Sequence, residues 1–87
     1  MAGEVDRPAL PPPDRLALWP VEGGRFGLDA TFSGAWGLSY AEEHQRALRI
    51  AGLDASLRQD LEDTWTLRMG PLTAAAARAA VEAFVGL

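Results

Sequence analysis

The chain reads as one α+β domain of order ββαββα, a two-layer sandwich with two helices on one face of a four-stranded, largely antiparallel sheet. Two observations predict the elements. Four segments alternate apolar and polar residues with a period of two, the mark of half-buried strands, and two segments repeat apolar residues at helical spacing. A third bounds the size. With 87 residues the chain supports a single domain with a modest core.

Residues 1–14 precede the domain. Pro8, Pro11, Pro12 and Pro13 fall here. Proline fixes φ and lacks an N–H, so this is neither helix nor inner strand, and the Pro11-Pro12-Pro13 run favours an extended polyproline conformation. The segment is expected to be a flexible arm, either a free tail or a strip that lies along a partner's groove. Residues 15–87 form the domain.

The first strand is expected over Leu16 to Val21. Leu16 and Leu18 alternate with Arg15 and Ala17, and Pro20 marks an edge strand or a bend. Gly23-Gly24 predicts a hairpin. Phe26, Leu28, Ala30 and Phe32 then alternate with Gly27, Asp29, Thr31 and Ser33, giving a second strand with one core face and one polar face. Residues 33–38 are expected to form a loop. The first helix is expected to begin with a capping box in which Ser39 and Glu42 satisfy free backbone N–H groups. Its apolar stripe is Tyr40, His44, Ala47, Leu48 and Ala51, and Gly52 ends it in the left-handed conformation. A third strand is expected over Leu53, Ala55 and Leu57, with an acidic turn over residues 60–63. Trp65, Leu67 and Met69 give a fourth strand, which Gly70-Pro71 is expected to end. Thr73 should cap a second helix over Ala74 to Val85 with a core stripe of Ala77, Ala80, Val81 and Phe84, stopped by Gly86.

The least costly way to bury four half-apolar strands and two striped helices is one helix layer on one sheet face. The element order then describes a permuted ferredoxin-like sheet. The usual order is βαββαβ. Here the strand Leu16 to Val21 takes the edge position of the last strand, beside Phe26 to Phe32.

Composition narrows the function. There is no cysteine, so no disulfide or thiolate metal site can form. The formal net charge is −4 and all basic residues are arginines, a poor fit to phosphate-driven nucleic-acid binding. No apolar run is long enough to span a membrane, so membrane insertion is not expected. The start of the chain lacks the basic and apolar regions of a signal peptide, which points to the cytoplasm unless the chain is part of a longer exported protein.

No constellation for catalysis stands out. His44 lies on the apolar helix stripe and reads as a packed histidine with one satisfied nitrogen. Asp60, Glu62 and Asp63 lack the spaced oxygen ligands and glycine pivot of a calcium loop. Gly23-Gly24-Arg25-Phe26-Gly27 leads into a strand, unlike a phosphate-binding loop. No enzyme activity, cofactor or metal is expected. Trp36 in its glycine-flanked loop and Trp19 beside Pro20 either fold back on the core edge or anchor a partner. The outer face of the second helix, with Arg78, Glu82 and the small residues Ala74, Ala75 and Ala79, admits close approach by another element. These features predict a non-catalytic interaction module or accessory subunit. It would bind a protein partner, or a second copy of itself, through the edge strand, the arm or the helix face, with Trp19, Trp36 and Arg78 as partner-binding residues.

From about Ala30 to Leu87 the chain also resembles a SPOR domain. The likeness lies in Ala41-Glu42, in Ala47-Leu48-Arg49-Ile50-Ala51-Gly52-Leu53 and in Trp65-Thr66-Leu67-Arg68-Met69-Gly70-Pro71-Leu72. The resemblance implies binding of peptidoglycan glycan strands, stripped of their stem peptides, through the sheet face. Carried onto this chain, that face would hold Thr31, Ser33, Ser56, Arg58, Thr66 and Arg68.

Overall fold

The computed structural model describes residues 10–85. The first nine residues of the expected arm and the expected stop at Gly86 lie outside the described residues. The elements are β1 (Arg15–Val21), β2 (Arg25–Ser33), α1 (Gly37–Ile50), β3 (Ser56–Leu61), β4 (Thr64–Leu72) and α2 (Ala74–Val85). They form one four-stranded sheet of order β1-β2-β4-β3 with every pairing antiparallel. The expected α+β sandwich is the observed one.

The β1–β2 hairpin turns on Gly23 and Gly24, both at positive φ (80° and 71°), where a side chain would be strained. Its register sets Leu18 opposite Leu28 and Trp19 opposite Gly27. On one side of the sheet Leu28, Ala30 and Phe32 of β2 stand beside Leu67 and Met69 of β4. Ala41 and Leu48 of α1 and Ala80 and Phe84 of α2 close over them, and all nine are buried. Each large apolar side chain removed from water here contributes about 1.5–3 kcal/mol.

α2 begins and runs as the sequence predicts. The Thr73 hydroxyl accepts from the Ala76 N–H at 3.1 Å, and Ala77, Ala80, Val81 and Phe84 face the core. The end of α1 is a Schellman motif. Gly52, at φ 86°, donates its N–H to Arg49, and Leu53 donates to Leu48.

Several expectations need correction. The Ser39–Glu42 capping box does not form. α1 starts earlier, at Gly37, with Trp36 at the N-cap and no side-chain cap. Gly37 packs so close to Trp65 and the Phe32 backbone that a Cβ would lie 3.0 Å from the indole ring. The loop expected over residues 33–38 is correspondingly shorter. The buried stripe of α1 is Gly37, Ala41, His44 and Leu48, with Tyr40 half-buried, while Ala47 and Ala51 are exposed. β3 begins later than expected. Leu53 and Ala55 pack under α1 as a connection, and the paired strand is Ser56–Leu61, which moves Asp60 and Leu61 out of the turn. β4 continues through Gly70-Pro71, because a register shift in β2 between Phe26 and Leu28 lets Phe26 pair with Leu72.

The helix layer is off-centre. α1 packs on β2, β4 and β3, and α2 packs on β2 and β4. β1 lies at the far end of the sheet with Leu16 half-buried and Leu18 51% exposed.

Candidate functional site

Two surfaces follow from this layout, the sheet face away from the helices and the flank of β1. On the open face the register brings side chains from all four strands together. Asp29 sits opposite Arg68, Thr31 opposite Thr66, Ser56 opposite Arg68 and Arg58 opposite Thr66. Arg68 grips Asp29 with two parallel bonds, Nε to Oδ1 and Nη2 to Oδ2, each 2.8 Å. The same guanidinium lies 5.7 Å from the centre of the Trp19 ring, within cation–π range. The Trp19 indole lies flat on β2 because residue 27 has no side chain; a Cβ there would fall 2.5 Å from the ring.

A second cluster lies beside the first. The Thr66 hydroxyl donates to Asp60 and is itself 3.5 Å from the Thr31 hydroxyl, and Arg58 Nε donates to the other Asp60 oxygen at 2.6 Å. The Thr66 hydroxyl, and next the Arg58 guanidinium, hold the Asp60 carboxyl below its ordinary range. Hydrogen bonding to Asp29, reinforced by its charge, raises Arg68 above the ordinary arginine value. Arg58 and Arg68 are thus each paired with a carboxylate within the molecule, which weakens the positive field they offer a phosphate backbone.

The open face therefore gathers Trp19, Thr31, Ser56, Arg58, Thr66 and Arg68. Ser33 stands at the end of β2, where its N–H and hydroxyl both donate to Asp14, at 2.8 and 2.5 Å. Trp36 is 67% exposed at the start of α1, and Arg78 lies on the outer side of α2 paired with Glu82 at 3.3 Å. Neither joins the open face. Sequence reasoning missed Asp29 and Asp60 as members of the network. Alternation along β2 already placed Asp29 on the polar side, but its pairing with Arg68 depends on the β2–β4 register.

The flank of β1 is of the opposite character. A groove of about 390 Å³ runs between β1–β2 and α2, lined by Leu18, Phe26, Ala74, Ala77, Val81 and the stems of Arg78 and Glu82. Its exposed apolar residue, Leu18, points to the side of the sheet that elsewhere is covered by helices.

His44 is buried between Phe32 and Phe84, with ring centres 5.1 and 5.5 Å away, and its Nε2–H donates to the Pro11 carbonyl at 2.7 Å. That contact and the Asp14–Ser33 bonds fasten the described end of the proline-rich segment to the domain. Among the described residues no cluster of three His, Asp or Glu side chains is arranged to hold a metal ion, and no helix is long and apolar enough to cross a membrane. Comparison of the chain with protein-family models, curated proteins and solved structures returns no match.

Proposed function

We propose that this chain is a non-catalytic interaction module or accessory subunit that docks a protein partner along β1. The observation that carries the reading is the off-centre helix layer. It leaves Leu18 exposed beside an apolar groove, next to a strand whose outer edge has no partner among the described residues. A free edge offers main-chain bonding, and an adjoining apolar groove accepts alternate side chains of an added segment. The strand order also suits a ferredoxin-like sheet whose last strand has moved to the front, which puts the strand nearest the start of the domain on this edge.

The test uses a photo-reactive amino acid in place of Leu18, expressed in the native host. Irradiation is expected to give one dominant protein adduct, absent when the same group replaces Leu61 on β3. Equal labelling at both positions, or none, would remove the β1 docking reading.

A second reading is favoured by a separate observation. Trp19 and five of the six residues to which the SPOR resemblance assigns glycan binding share the open face, and a half-buried aromatic ring bordered by hydrogen-bonding groups suits a sugar ring. It predicts co-sedimentation with amidase-treated peptidoglycan sacculi that Trp19→Ala and Arg68→Ala weaken. No co-sedimentation of the intact chain would end it.

A further inference from the structure

We propose that the partner seated on β1 is a second copy of this chain, joined by antiparallel β1–β1 pairing about a two-fold axis at Ala17. The proposal rests on the reading of β1 as the docking strand and names its occupant.

A two-fold axis demands that a strand be compatible with its own reverse. Residues 15–19 read Arg-Leu-Ala-Leu-Trp. Antiparallel pairing centred on Ala17 sets Leu16 against Leu18 of the other copy, and Leu18 against Leu16. The half-buried and the exposed leucine then cover one another on the groove side. On the open face Ala17 meets Ala17, small against small, and Arg15 meets the second copy's Trp19, a cation beside an indole. Every contact in this register joins groups that attract or fit.

The main chain agrees. Pro20 sits opposite Phe26 with the β1–β2 register unbroken. A proline within a strand belongs with its nitrogen toward the free edge. Alternation then turns the N–H and C=O groups of Leu16 and Leu18 to that edge as well. Centring on Ala17 sets those residues opposite each other, where each pair exchanges both N–H···O bonds, and keeps Pro20 out of the exchange.

The groove adds charge complementarity. Arg78 and Glu82 line it one helical turn apart. The two-fold axis runs α2 antiparallel to its copy, so the internally paired Arg78 and Glu82 of the two copies run in opposite order. The opposite edge of the sheet lacks these properties. β3 carries Arg58, Gln59 and Asp60 and breaks register between Gln59 and Leu61, features that discourage edge pairing.

The chain has no cysteine, so Ala17→Cys introduces a single thiol. At the axis the two Cα atoms would stand about 4.5 Å apart, within disulfide range. Mild oxidation of the full chain is expected to give a covalent dimer at least about tenfold faster with Ala17→Cys than with Ser56→Cys on β3. Sedimentation equilibrium is expected to show a dimer that Leu18→Asp weakens by about tenfold or more, since it places unpaired charge in the interface. Leu18 is exposed in the single chain, and circular dichroism checks that the variant folds. A chain that stays monomeric to millimolar concentration, with Ala17→Cys and Ser56→Cys oxidising alike, overturns the proposal. The photo-crosslink at position 18 separates the two readings. An adduct of twice the chain mass supports the second copy, an adduct of any other mass overturns it while β1 docking stands, and no adduct removes both.

Discussion

On the helix-covered face, Leu28, Ala30, Phe32, Leu67 and Met69 are at most 3% exposed and carry no polar side-chain group. On the open face, Asp29, Thr31, Thr66 and Arg68 of the same two strands bond to each other and to Asp60. The difference lies in what removal of a side chain leaves behind. A truncated core residue leaves a void that neighbours cannot fill, whereas truncation of Asp29 or Arg58 leaves its partner, Arg68 or Asp60, in reach of water. Stability is therefore expected to be concentrated on the covered face. The network still has a structural effect: it holds Trp19 flat and fixes two guanidinium groups in place.

The comparison breaks if substitutions on the two faces cost the same. Leu67→Ala, at the centre of the covered face, is expected to cost about 2–5 kcal/mol in denaturant unfolding. Gly27→Ala comes next, although residue 27 lies under the open face. A methyl group would meet the Trp19 ring at 2.5 Å, so the indole must leave its seat. The expected cost is about 1–3 kcal/mol, with a red-shifted tryptophan emission that a core substitution would not give. Thr73→Ala removes the cap of α2 and should cost about 1 kcal/mol, with the loss confined to helix signal near the threshold of unfolding. Asp29→Asn should cost less again, and the difference from the parent should vanish in about 1 M salt, where screening acts within ~3 Å. A cost as large as that of Leu67→Ala would mean that the open face carries the fold.

A pH series sharpens the same point. The Asp60 carboxyl titrates below its ordinary value of 3.8 in the folded chain. A depressed carboxyl stabilises the fold above the ordinary value and loses that contribution as the pH falls through the lower folded value. The midpoint of thermal unfolding should therefore separate parent from Asp60→Asn at neutral pH and converge below pH 3.8. Curves that stay parallel to the lowest pH would show that the Thr66 and Arg58 contacts do not bias the carboxyl.

Much of this was legible in order along the chain. Strict alternation from Phe26 to Phe32 located β2, and Thr73 located the start of α2, because both signals act between near neighbours. The start of α1 was not legible. Ser39 and Glu42 have the right spacing for a cap, but the helix starts three residues earlier, at Gly37, which fits closely against Trp65, a residue far along the chain. β3 was displaced for a similar reason. Leu53, Ala55 and Leu57 alternate correctly, yet only residues from Ser56 onward reach β4 for pairing.

The candidate site divides along the same line. The sequence by itself determined one α+β domain, the polar residues Thr31, Ser56, Arg58, Thr66 and Arg68 on alternate strand positions, and a proline-bearing first strand at an edge. These are local facts of period, turn chemistry and composition. Only the tertiary structure decided that Asp29 meets Arg68, that Asp60 joins Thr66, that Trp19 lies on Gly27, and that the helices stop short of Leu18. Each of those depends on register between strands or on where a helix layer comes to rest, and such contacts are set by packing across the whole domain rather than by neighbours in the chain.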